Sequence, residues 1–289
     1  MEWPPLRDIT LSYHTLSGNK HGEPTKYTLR ERALAAKHAG MRYVGFCTAD
    51  YSCERQLRDD AAWLDGEGMK ATEGEWLELS DRDILNETVA FHMGQTFGAD
   101  RINMGFCANA TVPRSELVSR SREMAQRARD FGQVLAFEPV AFGPYSDVRN
   151  IQEIVREAGE ANLGTLLDTW QLARSCWTAD VTGVDMTMAK GIQLAGVNYR
   201  APLPAYPDGL FREAQCERRL PDEGDFPVRD WLRNAIGAGV NTTIACEVIS
   251  DELRAMPLDD AAEAVAASLG NLLATAPVFV RQSSQVLAS

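Results

Sequence analysis

The stretch Leu163-Gly-Thr-Leu-Leu-Asp168 decides how the rest of the sequence is interpreted. It is a short apolar run that ends in one acid, and Val134-Leu-Ala-Phe-Glu138 and Thr242-Thr-Ile-Ala-Cys-Glu247 repeat the pattern. Short apolar runs of this kind are typical of parallel strands that are buried on both faces. Because parallel strands end at the same edge of a sheet, the sequence predicts that the three acids meet at one polar site.

Working outward from these runs, the whole chain alternates apolar and helical segments. Eight strands are predicted, and glycines follow most of the helices between them. The predicted strands cover residues 9–13, 42–47, 69–73, 100–106, 134–138, 163–168, 192–199 and 240–248. A long polar loop is predicted over residues 201–225. Eight βα units indicate an α/β protein, a single (β/α)₈ TIM barrel domain over residues 1–289. An open doubly wound sheet is the alternative, and the absence of G-x-G-x-x-G after the first strand disfavours it.

Composition and charge exclude several classes of protein. The 289 residues are 45% apolar, which suits a large core, yet no run reaches the roughly 18 apolar residues of a membrane span. The net charge of −12 argues against a nucleic-acid partner, because DNA and RNA are polyanions. The amino-terminal residues lack a signal-peptide pattern, and the six cysteines form no C-x-x-C pair. We therefore expect a cytoplasmic protein with reduced cysteines and no membrane partner.

The three strand-end acids predict a metal site. Glu138, Asp168 and Glu247 would repel one another at the mouth of a packed barrel unless a cation neutralised them. A fourth ligand is expected from the strand between Asp168 and Glu247. Asn198 lies nearest the predicted end of that strand, and Gln193 is the alternative. Such an all-oxygen set favours Mg²⁺ or Mn²⁺ over Zn²⁺.

Other side chains near predicted strand ends are candidates for a substrate pocket. His14 follows the first strand and is the histidine best placed to face the site. Trp170 follows Asp168 closely and is expected to form part of the pocket wall, although an aromatic residue there is also typical of plain core. Glu73 and Glu75, at the end of the third predicted strand, are second-rank polar candidates.

Several of these motifs together resemble the sugar phosphate isomerase/epimerase family, the xylose isomerase-like TIM barrel group. The resemblance covers nearly the whole chain and is specific for the superfamily, but it does not identify a substrate. It is carried by residues 135–138 (Leu-Ala-Phe-Glu), 166–171 (Leu-Leu-Asp-Thr-Trp-Gln), 194–198 (Leu-Ala-Gly-Val-Asn), 219–227 (Arg-Leu-Pro-Asp-Glu-Gly-Asp-Phe-Pro) and 245–247 (Ala-Cys-Glu).

The resemblance implies roles for particular residues. The family's metal ligands, a Glu, an Asp, a His or Gln and a second Glu, correspond to Glu138, Asp168, Asn198 and Glu247. Arg200 and Arg219 would then bind substrate. The chain departs from the family at Gln171, where relatives usually carry a histidine, and this residue is expected to face the substrate.

The resemblance further implies an enzyme that moves a proton next to the carbonyl of a sugar-like or polyol-like substrate. Glu138 and Glu247 would act as base and acid, giving a metal-dependent isomerase or epimerase. Loss of a β-hydroxyl in the same site would instead make a dehydratase of the 3-dehydroshikimate or inosose type. A phosphodiesterase of the family's endonuclease branch would need a histidine-rich site and a DNA-binding face. The chain has only four histidines and a net charge of −12, which disfavour that alternative. A non-catalytic barrel with a degenerate metal site is a third alternative, and the sequence leaves the substrate and homo-oligomer formation open.

Overall fold

Eight parallel strands close into a barrel in a computed structural model that describes residues 4–20, 22–107, 112–175 and 180–274. The strands are β1 (Thr10–Leu11), β2 (Tyr43–Cys47), β3 (Lys70–Glu78), β4 (Arg101–Gly105), β5 (Leu135–Glu138), β6 (Leu163–Asp168), β7 (Ala189–Leu194) and β8 (Ile244–Cys246). Each strand pairs in parallel with the next, and β1 pairs with β8 to complete the ring. The predicted (β/α)₈ barrel is confirmed, and the open-sheet alternative is wrong.

Helices connect the strands and cover the outside of the barrel. They are α1 (Tyr13–Leu16), α2 (Leu29–His38), α3 (Glu54–Gly66), α4 (Ile84–Phe97), α5 (Arg114–Asp130), α6 (Val148–Ala158), α7 (Thr169–Arg174), α8 (Asp208–Cys216), α9 (Val228–Gly237), α10 (Asp251–Ala255) and α11 (Leu258–Ala274). Local sequence explains several of their boundaries. Thr28 and Glu31 form a reciprocal capping box at the start of α2, and Gly98 ends α4 with a φ of 65° that glycine adopts readily.

The hydrophobic core lies mainly between the strands and the helices around them. Outward-facing strand residues such as Leu135 and Leu167 are fully buried there, against helix residues such as Ile154 of α6. The inside of the barrel is more polar, because Arg101 and Glu73 form a fully buried ion pair within it. Burial of an unpaired charge is costly, so each of these groups depends on the other.

The structure corrects three predicted boundaries on which the site depends. The seventh strand ends at Leu194 rather than at residue 199, since Gly196 and Val197 form isolated bridges to Arg219 and Gly224 outside the barrel ladder. The predicted loop over residues 201–225 contains helix α8, whose buried Leu210 and Ala214 lie one turn apart. The first strand is only two residues long, and His14 lies in the short helix α1.

Two further sequence expectations concern membranes and cysteines. Among the described residues, no helix has both the length and the apolar character needed to cross a bilayer. The five described cysteines are free thiols, and Cys176 lies outside the described residues.

Candidate metal centre and active site

The three strand-end acids come together at the carboxyl-terminal mouth of the barrel. Glu138 is the last residue of β5, Asp168 is the last residue of β6, and Glu247 directly follows β8. One carboxylate oxygen from each lies within 4.8 Å of the others, and all three side chains are buried. Three acids that are distant in sequence therefore form one compact cluster, which we call the carboxylate cluster.

Both oxygens of Asp168 and both oxygens of Glu247 accept hydrogen bonds. Asp168 Oδ1 accepts the backbone N–H of Gln171 at 2.9 Å, which also caps α7. Glu247 Oε1 accepts hydrogen bonds from Ser12 Oγ and Gln193 Nε2, each at 3.3 Å. In contrast, Glu138 Oε1 is buried and has no hydrogen-bond partner. A buried carboxylate oxygen without a partner is a group that fits a cation ligand.

Arg218 is a site residue that the sequence analysis missed. Its Nη1 donates to Asp168 Oδ2 at 2.8 Å and to Glu247 Oε2 at 2.9 Å. The predicted arginine was its neighbour Arg219, which is half exposed and lies 4.0 Å from Glu252. In an extended segment adjacent side chains point to opposite sides, and Arg219 itself pairs through its backbone with Gly196. The sequence indicated an arginine at this place but not which of the two faces the site.

The electrostatics of the carboxylate cluster indicate a shortage of positive charge. Burial raises the pKa of Glu138 well above its ordinary value, and the nearby Asp168 and Glu247 raise it further. Burial likewise raises the pKa of Glu247 to about 7, even though Arg218 acts to lower it. One guanidinium therefore does not neutralise three carboxylates, so the donor set fits an additional cation.

Gln193, rather than Asn198, lies beside the carboxylate cluster. Gln193 is paired in register with Asp168 across β6 and β7, and its buried side chain contacts Glu247. Asn198 lies four residues beyond the end of β7 and is exposed. The predicted strand was too long, which is why the sequence favoured Asn198. Of the two amides, Gln193 is therefore the one that lies next to a member of the carboxylate cluster.

His14 and Glu75 lie on the other side of Glu247. Ligand atoms of His14, Glu75 and Glu247 also fall within 4.8 Å of one another. Glu75 Oε1 accepts from Gln193 Nε2 at 2.7 Å and from Asn103 Nδ2 at 2.9 Å, well inside the barrel. Burial and the neighbouring Glu73 raise the pKa of Glu75 well above its ordinary value. This group extends the polar site toward β1 and β3.

A cavity of about 630 Å³ opens above these groups, within the range of small-molecule sites. The residues that line it include Glu138, Glu247, Arg218, His14 and Gln171. Its walls include three aromatic side chains, Trp76, Phe142 and Phe211. The cavity can therefore present the carboxylate cluster to a substrate of modest size.

Comparison with known proteins identifies the architecture. No family model matches the sequence. Among curated proteins, a 3-dehydroshikimate dehydratase of Pseudomonas aeruginosa is 25% identical in an alignment of 187 residues that covers 62% of this chain but only 28% of that protein's length. Among solved structures, the zinc-containing IolI protein superposes with a TM-score of 0.78 at 15% identity, covering 92% of this chain and 98% of IolI. D-psicose 3-epimerase of Clostridium cellulolyticum H10 superposes with a TM-score of 0.65 at 13% identity, covering 92% of this chain and 99% of the epimerase.

The chain has the xylose isomerase-like TIM barrel fold. The resemblance found in the sequence is thus confirmed at the level of the fold. One solved structure with this fold is an epimerase, and the curated protein matched in sequence is a dehydratase.

Within this xylose isomerase-like barrel, only some of the predicted substrate-binding residues line the cavity. Gln171 lines the cavity, and its Oε1 accepts the backbone N–H of Ala141 at 2.8 Å. Its side chain also bonds Glu138, which acts to lower the pKa of that carboxyl. His14 is half-buried at the cavity wall.

The other predicted substrate-binding residues do not line the cavity. Arg200 is exposed, and its backbone N–H bonds Asp225 at 3.1 Å. Trp170 is fully buried behind Arg218, with its Nε1–H donated to Glu213 at 3.2 Å. The core interpretation of Trp170, which the sequence left open, therefore fits its position better than the pocket wall does.

Proposed function

We propose that this chain is a divalent-metal-dependent isomerase or epimerase that transfers a proton next to the carbonyl of a sugar-like or polyol-like small molecule. The observation that carries this proposal is the carboxylate cluster, in which the Oε1 atom of Glu138 lacks a partner. The fold of named epimerases in the same superfamily is consistent with it.

The chain supplies a suitable set of oxygen ligands for one cation. Glu138, Asp168 and Glu247 would hold it. Gln193 would be the fourth ligand if its amide, whose Nε2 donates to Glu247 in this structure, turned its oxygen toward the ion. Three carboxylates and one guanidinium leave two negative charges when all are ionised, which matches a divalent ion. Oxygen ligands favour Mg²⁺ or Mn²⁺, and the zinc atom in IolI is a property of that protein.

The acid–base chemistry would come from Glu138 and Glu247. Both reach the cavity, and burial raises the pKa of Glu247 to about 7 and the pKa of Glu138 well above its ordinary value. A carboxyl group with such a pKa exchanges protons readily at physiological pH. A bound divalent cation would polarise the substrate carbonyl and so acidify the adjacent C–H bond. Arg218, which faces the same cavity, would orient a substrate oxygen.

A metal-dependent dehydratase is the second candidate, because the matched curated relative is a 3-dehydroshikimate dehydratase. In a dehydration, one carboxylate would remove a proton from carbon, and a second carboxyl group would protonate the hydroxyl that leaves as water. The same two glutamates could serve, since both line the cavity.

One experiment tests both candidates. The Mn²⁺-supplemented protein is incubated in D₂O with ketoses, a cyclic keto-polyol and 3-dehydroshikimate, and the products are followed by NMR and mass spectrometry. Carbon-bound deuterium without loss of water supports the isomerase or epimerase, whereas loss of water from the substrate supports the dehydratase. Absence of both reactions across the panel, with metal bound, would contradict the proposal and favour the non-catalytic barrel.

A further inference from the structure

Arg218 contacts two of the carboxylates that would bind a cation. Its guanidinium bridges Asp168 and Glu247, two members of the carboxylate cluster. Its side chain is only 2% exposed, so water does not compensate its charge. Arg218 is therefore a buried member of the site and not a residue at its solvent-exposed edge.

A group of buried side chains behind Arg218 fixes the guanidinium in place. The guanidinium carbon lies 5.2 Å from the centre of the Trp170 ring, and Nε donates to the Ala214 carbonyl at 3.0 Å. Trp170 is itself held by Glu213, whose Oε1 also accepts from Arg174 Nε at 2.6 Å. We call Trp170, Glu213 and Arg174 the arginine platform. Stacking on an aromatic face and a hydrogen bond to the backbone together restrict the guanidinium to one orientation.

The hydrogen bonds of the cluster show where a cation would compete with Arg218. Both oxygens of Asp168 accept hydrogen bonds, Oδ1 from the Gln171 backbone and Oδ2 from Arg218. Both oxygens of Glu247 also accept, Oε1 from Ser12 and Gln193 and Oε2 from Arg218. The Oε1 atom of Glu138 is the buried cluster oxygen that has no partner.

We propose that Arg218, held by the arginine platform, is a resident counter-cation that keeps the carboxylate cluster assembled and weakens its affinity for a divalent ion. This inference rests on the proposed metal-dependent function. Without metal, Arg218 offsets part of the repulsion among three buried carboxylates, so the fold does not depend on the ion. A divalent ion bound by the carboxylate cluster would share Asp168 and Glu247 with the Arg218 guanidinium, and the repulsion between the two positive charges would weaken its binding.

Mn²⁺ alone is the probe for the test, with binding measured by calorimetry and by the loss of the free-ion EPR signal. The central variant is Arg218→Met, which removes the charge while retaining much of the side-chain volume. Its matched control is Arg219→Met, because the adjacent arginine is half exposed and has only a distant contact with Glu252. We expect R218M to bind Mn²⁺ at least about tenfold more tightly than wild type and R219M to bind as wild type does.

Two further variants separate charge from structure. Arg218→Lys keeps the positive charge, so its Mn²⁺ affinity should stay near the wild-type value. Trp170→Phe removes the Nε1–H donor and weakens the stacking surface without changing any charge. If the guanidinium needs the platform, W170F should bind Mn²⁺ about two- to fivefold more tightly than wild type. If metal-free R218M does not fold, the Mn²⁺ affinity of W170F still tests the role of Arg218, because W170F retains Arg218 to pair with the buried acids.

Thermal unfolding with and without Mn²⁺ gives an independent measurement. Loss of the counter-cation should lower the metal-free Tm of R218M and enlarge the increase in Tm that Mn²⁺ produces, relative to R219M. If R218M binds Mn²⁺ no more tightly than wild type and W170F binds it as wild type does, Arg218 is not a counter-cation that weakens metal binding. The proposed metal site would remain. Absence of Mn²⁺ binding in all variants, wild type included, would instead refute the proposed metal-dependent function.

Discussion

Glu247 is the residue at which the two groups of ligands in the cavity meet. It belongs to the carboxylate cluster and also lies with His14 and Glu75. Under the proposed function it is both a metal ligand and an acid–base group. Glu247→Gln should therefore lower kcat at least about 100-fold and weaken Mn²⁺ binding in the same protein. Kinetics and calorimetry check this against Glu252→Gln, an exposed acid outside the cavity. Full activity in E247Q would remove Glu247 from the mechanism.

The raised pKa of Glu247 predicts how metal-free stability depends on pH. Burial raises this pKa from 4.5 to about 7, so the folded state favours the protonated acid. The corresponding stabilisation is fully present below about pH 4.5 and is lost as the pH rises through about 7. In the metal-free protein, unfolding free energy measured in urea should therefore fall more steeply over this interval in wild type than in E247Q. Identical pH dependence in the two proteins would show that Glu247 ionises normally.

At the residue scale, the sequence predicted the acids well and their partners poorly. Glu138, Asp168 and Glu247 could be found because each ends or directly follows a buried strand, and strand ends are fixed by the barrel. Arg218 could not be distinguished from Arg219, because both lie in an irregular segment whose orientation depends on bridges to Gly196 and Ser250. Gln193 was ranked below Asn198 because the apolar run continues beyond the strand.

At the scale of elements, one buried ion pair ties α2 to the segment that follows β2. Arg32 Nη2 lies 2.7 Å from Asp50 Oδ2, and both side chains are almost completely buried. Removing one partner leaves the other charge buried and unpaired, which costs about 3–5 kcal/mol.

We therefore expect Asp50→Asn to lower the free energy of unfolding by about 3 kcal/mol, measured by urea denaturation. The matched control is Asp59→Asn, whose acid is exposed and lies 3.8 Å from Arg55 on the surface of α3. That change should cost less than about 0.5 kcal/mol. Similar losses in the two variants would contradict the structural role assigned to the Arg32–Asp50 pair.

Helix α8 shows what the sequence analysis missed among the elements. Residues 201–225 were predicted as a loop because the segment is polar. The buried Leu210 and Ala214, spaced by four residues, were the available signal for a helix. The omission mattered for the site, since α8 provides the Glu213 and Ala214 contacts that hold Trp170 and Arg218.

At the scale of the whole molecule, the barrel was predictable because its repeat is simple. Alternating apolar and helical segments, counted eight times, specify a closed parallel sheet with helices outside. The shape of the cavity was not predictable in the same way. Its walls come from segments far apart in the chain, including Trp76, Phe142 and Phe211, and their approach depends on packing rather than on any local pattern.

Metal binding should also stabilise the whole molecule. A ligand that binds only the folded state adds about 2.7 kcal/mol when its concentration is 100 times its Kd. Mn²⁺ at that level should therefore raise the Tm of wild type, measured by calorimetry. Glu138→Gln, which removes a carboxylate from the cluster, should reduce this increase. An equal increase in E138Q would place the stabilising ion elsewhere on this acidic chain.

The most direct test of the central claim is the number of divalent ions bound per chain. Purified protein is dialysed to equilibrium against Mn²⁺ and analysed for metal, alongside a variant that combines Glu138→Gln with Asp168→Asn. We expect one tightly held ion per wild-type chain and none in the double variant, provided that circular dichroism shows both to be folded. Wild-type protein without bound metal, or a double variant that retains its ion, would contradict the carboxylate cluster as a metal centre.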